Sequence, residues 1–185
     1  DQDVWNLGGK LGFDRKDLCE PEYSRAVYQK FLKRYLRCVK GVDDNVKRLL
    51  DCLKEMGELD NTVIFYTGDQ GYFLGEHDLM DKRWMYEQAM RMPLLVRWPG
   101  TIKPAVLDDL VDSSDILPTL VELAGAPAPP RAINGRSFAP RLRGQPGNGR
   151  AWVHVQNMDQ RWVRNREFHL ANDSTLRPVV GIGEA

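Results

Sequence analysis

A group of polar side chains follows a short apolar run near the middle of the chain. The run covers residues 62–66 and is rich in β-branched and aromatic side chains, which is typical of a buried strand. The run stops at Thr67 and Gly68, and Asp69 and Gln70 follow at once. Their carboxylate and amide oxygens suit a hard cation such as calcium or magnesium better than zinc. By spacing alone, Asp69 fits a cation ligand and a cap of the next turn equally well.

Further candidate groups follow within a few residues. Gly71 and Gly75 allow a sharp turn and a close approach to a ligand. Glu76 is interpreted as a turn or supporting carboxylate rather than as an acid catalyst. His77 fits a group that supports a site and a structural histidine equally well. Lys82 is either an anion-binding lysine or a surface lysine.

Two common sites are excluded by spacing. The glycines at 68, 71 and 75 match neither G-x-G-x-x-G nor G-x-x-x-x-G-K-[ST], so no nucleotide-binding loop is predicted. The Gly-Glu-His sequence is not H-E-x-x-H, so no zinc protease site is predicted.

The elements that must position these residues are a long helix and two strands. Residues 22–56 predict one helix, or a pair broken near Gly41, because apolar residues recur at threes and fours and define one buried face. Its basic side chains are interpreted as a solvated face. Residues 62–66 and 93–97 predict two strands of one mostly parallel sheet covered by that helix. Open sheets of this kind bind ligands at the carboxyl ends of their strands.

The sequence after residue 97 predicts a short helix and a second sheet, smaller than the first. Asp115 is interpreted as the N-cap of a helix over residues 116–124. The neighbouring aspartates are interpreted mostly as solvated loop positions. Residues 152–156 and 168–171 alternate in polarity, which favours strands of an antiparallel sheet.

Four sequence blocks, in this order, carry a resemblance to a known family. They are Asp-Gln-Gly followed by Gly-Glu-His and a lysine (69–82), RMPLLVRWPG (91–100), DILPTLVELAG (115–125) and GRSFAPRLRG (135–144). Over residues 23–144 the chain resembles the sulfatase family of the alkaline-phosphatase-like superfamily. The resemblance implies an α/β fold, with a mostly parallel sheet flanked by helices and part of a small C-terminal antiparallel subdomain. Residues 1–145 would be the C-terminal part of the catalytic domain, and 146–185 the start of the subdomain.

The resemblance also implies a chemistry. Members of this family hydrolyse sulfate esters with a formylglycine nucleophile and a divalent cation. Asp69 and Gln70 match the family's metal ligands, with calcium favoured over magnesium. Lys82 matches the lysine that contacts the sulfate group, and His77 lies near the site as a further catalytic candidate. The implied substrate is a sulfate ester of a small molecule or a glycan.

The nucleophile motif of the family is missing from this sequence. Neither C-x-P-x-R nor S-x-P-x-R occurs in the 185 residues. Cys19-Glu20-Pro21 begins in the same way, but Tyr23 stands where arginine is required. We therefore interpret the chain as a C-terminal fragment and expect that it does not perform the reaction by itself. Its three cysteines give no disulfide pattern.

The composition of the chain indicates which partners it is not adapted to bind. The chain has 26 basic and 26 acidic residues, so its formal charge is zero and nothing favours nucleic acid or an anionic membrane as a partner. No apolar run approaches the roughly 18 residues of a membrane span.

Two alternatives stay open. One keeps the superfamily but changes the substrate to a phosphodiester or a phosphonate monoester, because these oxyanions are similar in charge and shape. The other is a non-catalytic domain that retains the fold. The group that carries the ester is not predicted, because its contacts come mostly from variable loops.

Overall fold

The structure, a computed structural model, describes residues 8–14, 16–147, 149–157, 160–165 and 169–172. The chain divides into two compact units, Asp1–Arg97 and Trp98–Ala185. No helix in the described ranges is long and apolar enough to cross a membrane. The domain boundary at residue 145 stays a prediction.

A single long helix, α1 (Glu22–Glu55), dominates the first unit. Its 34 residues continue through Gly41 without a break, so of the two predicted possibilities the single helix is confirmed. Lys40 pairs with Asp44 four residues on, which supports this exposed stretch. The helix ends where Gly57 takes a left-handed φ of 74°, a conformation that glycine adopts without a steric penalty.

The buried face of α1 is shorter than the apolar pattern predicts. Tyr23 and Val27 form a small core with Leu11, and Phe31 packs against it. Beyond this first part no residue of α1 is buried, and several apolar side chains are about half exposed, namely Leu36, Val39, Val42 and Leu49. The predicted continuous buried face is therefore wrong for the second half of the helix within the described residues.

Strands β1 (Ile64–Thr67) and β4 (Leu94–Arg97) lie in one sheet, but they run antiparallel. Ile64 pairs with Arg97 and Thr67 with Leu94. The prediction of both strands and of their shared sheet is confirmed, and the prediction of a mostly parallel sheet is wrong for this pair. The connection between them explains the difference, because a parallel pair needs a crossover element that carries the chain back. Here the connection contains only a hairpin of β2 (Phe73–Leu74) and β3 (Met80–Asp81) and the one-turn helix α2 (Glu87–Met90).

In the described residues, the second unit contains two short α-helices and a three-stranded sheet. Helix α3 (Ile116–Leu123) confirms the predicted helix, and α4 (Ala139–Leu142) follows it. Strands β5 (Val153–Asn157), β6 (Gln160–Arg164) and β7 (His169–Asn172) pair in chain order, each antiparallel to the next. The predicted antiparallel sheet is confirmed with β6 added, whereas Phe168 lies outside the described residues.

Candidate functional site

The loop after β1 carries the two predicted metal ligands. Asp69 and Gln70 are adjacent and exposed, directly beyond the end of the strand. Neither side chain makes a hydrogen bond or ion pair with any described residue. Their oxygens are therefore available to an external partner, unlike those of an aspartate that caps a turn.

Gly71 fixes this loop against α2. Its N–H donates a hydrogen bond of 2.8 Å to the carbonyl oxygen of Ala89. A Cβ atom at position 71 would lie only 2.1 Å from the carbonyl oxygen of Gln88. Only glycine permits this approach, so the backbone just after Gln70 is held at a defined distance from α2.

The β2–β3 hairpin carries the next candidates on an unusual turn. Gly75, His77 and Asp78 all have positive φ values, of 118°, 56° and 58°. A carboxylate oxygen of Glu76 accepts the N–H of Leu74 at 2.7 Å, which confirms Glu76 as a turn residue. Non-glycine residues in the left-handed region cost of order 1 kcal/mol or more and concentrate at functional sites. This turn therefore has the backbone strain that is typical of such sites.

An aromatic stack holds the ring of His77. The imidazole stacks on Tyr86 with centroids 4.4 Å apart and planes inclined by 20°. The buried ring of Phe73 meets His77 and Tyr86 edge-on, at 6.4 Å and 6.0 Å. The residue remains exposed as a whole, so the ring is oriented by its neighbours while staying accessible to solvent.

Lys82 follows β3 directly and is exposed. The preceding residue, Asp81, also has a positive φ, 72°. The Asp81 carboxylate is engaged by Arg83, with Nε and Oδ2 separated by 3.3 Å. Lys82 itself makes no hydrogen bond or ion pair with the described part of the chain. Its ammonium group is therefore available to bind an anion.

Behind the hairpin, Tyr72 connects the site loop to α1. Its ring stacks on Tyr35 of the helix, with centroids 5.3 Å apart. Burial raises the pKa of the Tyr72 hydroxyl, and the negative charge of Asp81 raises it further. Tyr72 is thus neutral at physiological pH and acts here as a packing residue.

The donor set fits part of a cation site. No group of three or more histidine, cysteine, aspartate or glutamate residues that could hold a metal occurs among the described residues. Asp69 and Gln70 offer oxygen donors of the kind calcium prefers, but calcium takes six to eight ligands. The two residues therefore fit a share of a calcium shell, and the remaining ligands must come from elsewhere.

Sequence reasoning missed a buried charge cluster in the second unit. Asp115 is only 3% exposed. Its carboxylate accepts hydrogen bonds from Arg150 Nε (2.8 Å) and Nη2, from Arg136 N–H (2.6 Å) and from Asp112 N–H (2.9 Å). Asp115 is the N-cap residue of α3, as predicted, but its side chain makes no capping hydrogen bond to that helix. Its carboxylate instead accepts the Asp112 N–H in the capping box of the preceding turn. Asp109 is also not simply solvated, because it pairs with Arg141 at 2.8 Å.

The electrostatics of Asp115 follow from these contacts. Burial alone would raise the pKa of the carboxyl, but the hydrogen bonds from Arg150 and from two backbone N–H groups outweigh it, so the pKa of Asp115 lies below its ordinary value. The same pairing raises the pKa of Arg150. No short-range motif could have revealed this pair, because its members are 35 residues apart in the sequence.

The cysteines take no part in these clusters. All three, Cys19, Cys38 and Cys52, are free and exposed. The absence of a disulfide pattern in the sequence is thus matched by the structure.

Comparisons with known proteins identify the family of the chain. The model of the sulfatase family matches residues 12–126. An N-acetylglucosamine-6-O-sulfatase of Bacteroides thetaiotaomicron is 45% identical over 119 residues, which make up 64% of this chain and 21% of that protein. The chain thus spans about a fifth of the length of the curated relatives it matches.

Solved structures give the fold. A protein in complex with its substrate, D-glucosamine-2-N,6-O-disulfate, is 36% identical with a TM-score of 0.72, and the match covers 85% of this chain and 34% of that one. A phosphonate monoester hydrolase from Silicibacter pomeroyi has a TM-score of 0.77 at 24% identity, over 99% of this chain and 42% of that one. The second match supports the fold alone, which is of the alkaline-phosphatase-like type. On the family model and the 45% identical relative, the chain belongs to the sulfatase family.

Proposed function

We propose that the full-length protein hydrolyses a sulfate ester on a sugar of the glucosamine type. The names of the similar proteins support the substrate class, since they include an N-acetylglucosamine-6-O-sulfatase and a protein bound to a sulfated glucosamine. The observation that carries the proposal is that Asp69, Gln70 and Lys82, which match the family motif, are the side chains left without partners among the described residues of the loop and hairpin.

Asp69 and Gln70 would hold part of a calcium ion's coordination shell. In the family, calcium and a formylglycine from outside this chain supply charge neutralisation and the nucleophile. Gly71 fixes the backbone beside Asp69 and Gln70, which restricts where their side chains can reach.

Lys82 would donate a hydrogen bond to a sulfate oxygen. The nearby carboxylate of Asp81 is paired with Arg83. The ammonium group of Lys82 is therefore available to an anionic substrate. Such a contact strengthens as negative charge shifts during S–O cleavage, which is how a cationic donor accelerates the reaction rather than only binding substrate.

His77 would hydrogen-bond the ester through a ring nitrogen. The stack on Tyr86 restricts rotation of the imidazole and leaves its edge accessible. This positions a group that can hold or transfer a proton at the leaving oxygen.

The decisive experiment compares esters on the full-length, calcium-loaded protein. We expect turnover of N-acetylglucosamine-6-sulfate to exceed that of a phosphodiester and of a phosphonate monoester with the same leaving group. Preference for a phosphorus ester would favour the alternative within the superfamily. Retained calcium without turnover of any ester would favour a non-catalytic domain.

A further inference from the structure

The second unit contains a cleft that the proposed hydrolysis does not use. Its volume is about 530 Å³, and it lies between the turn before α3, the segment around Gly135 and the start of β5. Its principal side chains are Asp112, Asn134, Arg136, Arg150, Trp152 and His154. All of them belong to the second unit.

The base of the cleft is rigid. The partly buried Arg150 pairs with the buried Asp115, and the Arg136 N–H donates a hydrogen bond to the same carboxylate. A Cβ atom at Gly135 would lie 1.9 Å from the carbonyl oxygen of Ser114, so the two backbone segments touch. These contacts fix two walls of the cleft before any ligand arrives, which reduces the entropic cost of binding.

The rim, in contrast, presents groups without partners. The indole of Trp152 is 55% exposed and stacks on no described ring. The side chains of Asn134, Arg136 and His154 are exposed and make no hydrogen bond or ion pair with the described residues. An exposed indole beside several unused donors and acceptors is the composition of a ligand site with an apolar surface and a few orienting polar groups.

The charges in the cleft balance. Asp112 and Asp115 offset Arg136 and Arg150. A balanced cleft does not favour a phosphate, a nucleic acid or an anionic lipid. It favours an uncharged ligand that combines an apolar face with many hydroxyl groups.

We propose that this cleft binds an uncharged pyranose unit of an oligosaccharide. The C–H face of the sugar would stack on Trp152, whose indole is large, rigid and polar only at one edge. Arg136 and Asn134 would donate hydrogen bonds to hydroxyl oxygens, and the Asn134 carbonyl and the Asp112 carboxylate would accept them. The inference does not rest on the proposed function, because no residue of the first unit takes part.

The test is titration of the full-length protein with N,N′,N″-triacetylchitotriose, an uncharged amino-sugar trisaccharide, by isothermal calorimetry. We expect Trp152→Ala to weaken binding by at least about tenfold and Arg136→Ala by a smaller factor. Arg131→Ala, which removes an exposed arginine outside the cleft, should leave the affinity unchanged. Melting temperatures of all variants should match the wild type, because the replaced side chains are exposed.

The Asp69→Ala variant separates this cleft from the proposed hydrolytic site. It should bind the trisaccharide as the wild type does. Loss of binding in Asp69→Ala, together with full binding in Trp152→Ala and Arg136→Ala, would place the sugar at the other site and overturn the inference. No binding by the wild-type protein at millimolar trisaccharide would overturn it as well.

Discussion

Two sets of an aspartate and a basic residue in this chain differ in burial and in pairing. Asp115 is buried, Arg150 is partly buried, and the two side chains are hydrogen-bonded to each other. Asp69 and Lys82 are exposed, and neither has a partner in the described part of the chain. The same chemical groups thus stabilise the fold in one unit and remain available for an external ion and anion in the other. Mutations at the two places should therefore affect different properties.

The largest expected effect concerns metal retention. Asp69→Ala in the full-length protein should abolish bound calcium, because a charged ligand is lost from a site that depends on its carboxylates. Elemental analysis after gel filtration measures this directly, with Asp43→Ala on the exposed side of α1 as the control. Full calcium occupancy in Asp69→Ala would remove Asp69 from the ligand set.

Substitution of Asp115 should lower stability and leave the calcium content unchanged. Asp115→Asn should lower the free energy of unfolding by about 3 kcal/mol, because it removes the counter-charge of the partly buried Arg150 and weakens its hydrogen bonds. Urea titration measures the change, and Asp108→Asn, at an exposed loop position, should shift it by less than about 0.5 kcal/mol. Calcium content of the folded variant should be normal. Equal effects of the two substitutions would contradict the assignment of Asp115 as a stabilising residue.

Lys82→Ala should leave folding and calcium intact while lowering kcat/KM. Loss of one donor to a developing oxyanion costs roughly 2.7–4 kcal/mol, or about 10²–10³ in rate. Lys82→Arg should restore only part of kcat/KM, because the planar guanidinium group differs in shape and hydrogen-bond geometry from the compact ammonium group of lysine. Lys103→Ala provides an exposed lysine for comparison. Turnover of Lys82→Ala within about threefold of the wild type would make Lys82 a surface lysine.

The smallest effect is a dependence of stability on pH. Because the pKa of Asp115 is lowered in the folded state, its contribution is present above the unfolded value of about 3.9 and is lost as the pH falls through the folded pKa. The difference in urea midpoint between wild type and Asp115→Asn should therefore narrow below about pH 4. A difference that stays constant from pH 7 to pH 3 would show that the charge of Asp115 does not stabilise the fold.

Local sequence signals predicted the long helix and the main strands, but neither the shorter elements nor the direction of strand pairing. The periodicity of α1 and the apolar runs of β1 and β4 are visible in the sequence. Strand direction is not, because an apolar run fits a parallel or an antiparallel neighbour equally well. Likewise, nothing in the sequence connects Asp115 with Arg150, since only folding brings them together.

The candidate site was found through the family motif rather than through spacing. Spacing left Asp69 and Lys82 ambiguous, and the structure adds that both lack partners among the described residues. The left-handed backbone at His77, Asp78 and Asp81 had no sequence signal, because non-glycine residues rarely adopt it. Their roles stay predictions until the variants are measured.

The contact of Gly71 with Gln88 has a consequence for mutational tolerance. In a saturation-mutagenesis library selected for activity, position 71 should accept no other residue, because even alanine would collide with the Gln88 carbonyl. Gly41 offers the opposite case, since a Cβ there meets nothing within 4 Å and the residue lies within α1. Alanine at position 41 should raise the free energy of unfolding by about 1 kcal/mol, because alanine favours the helix more than glycine does. It should therefore be enriched in the library. Two glycines of the same unit should therefore differ sharply in their tolerance of substitution.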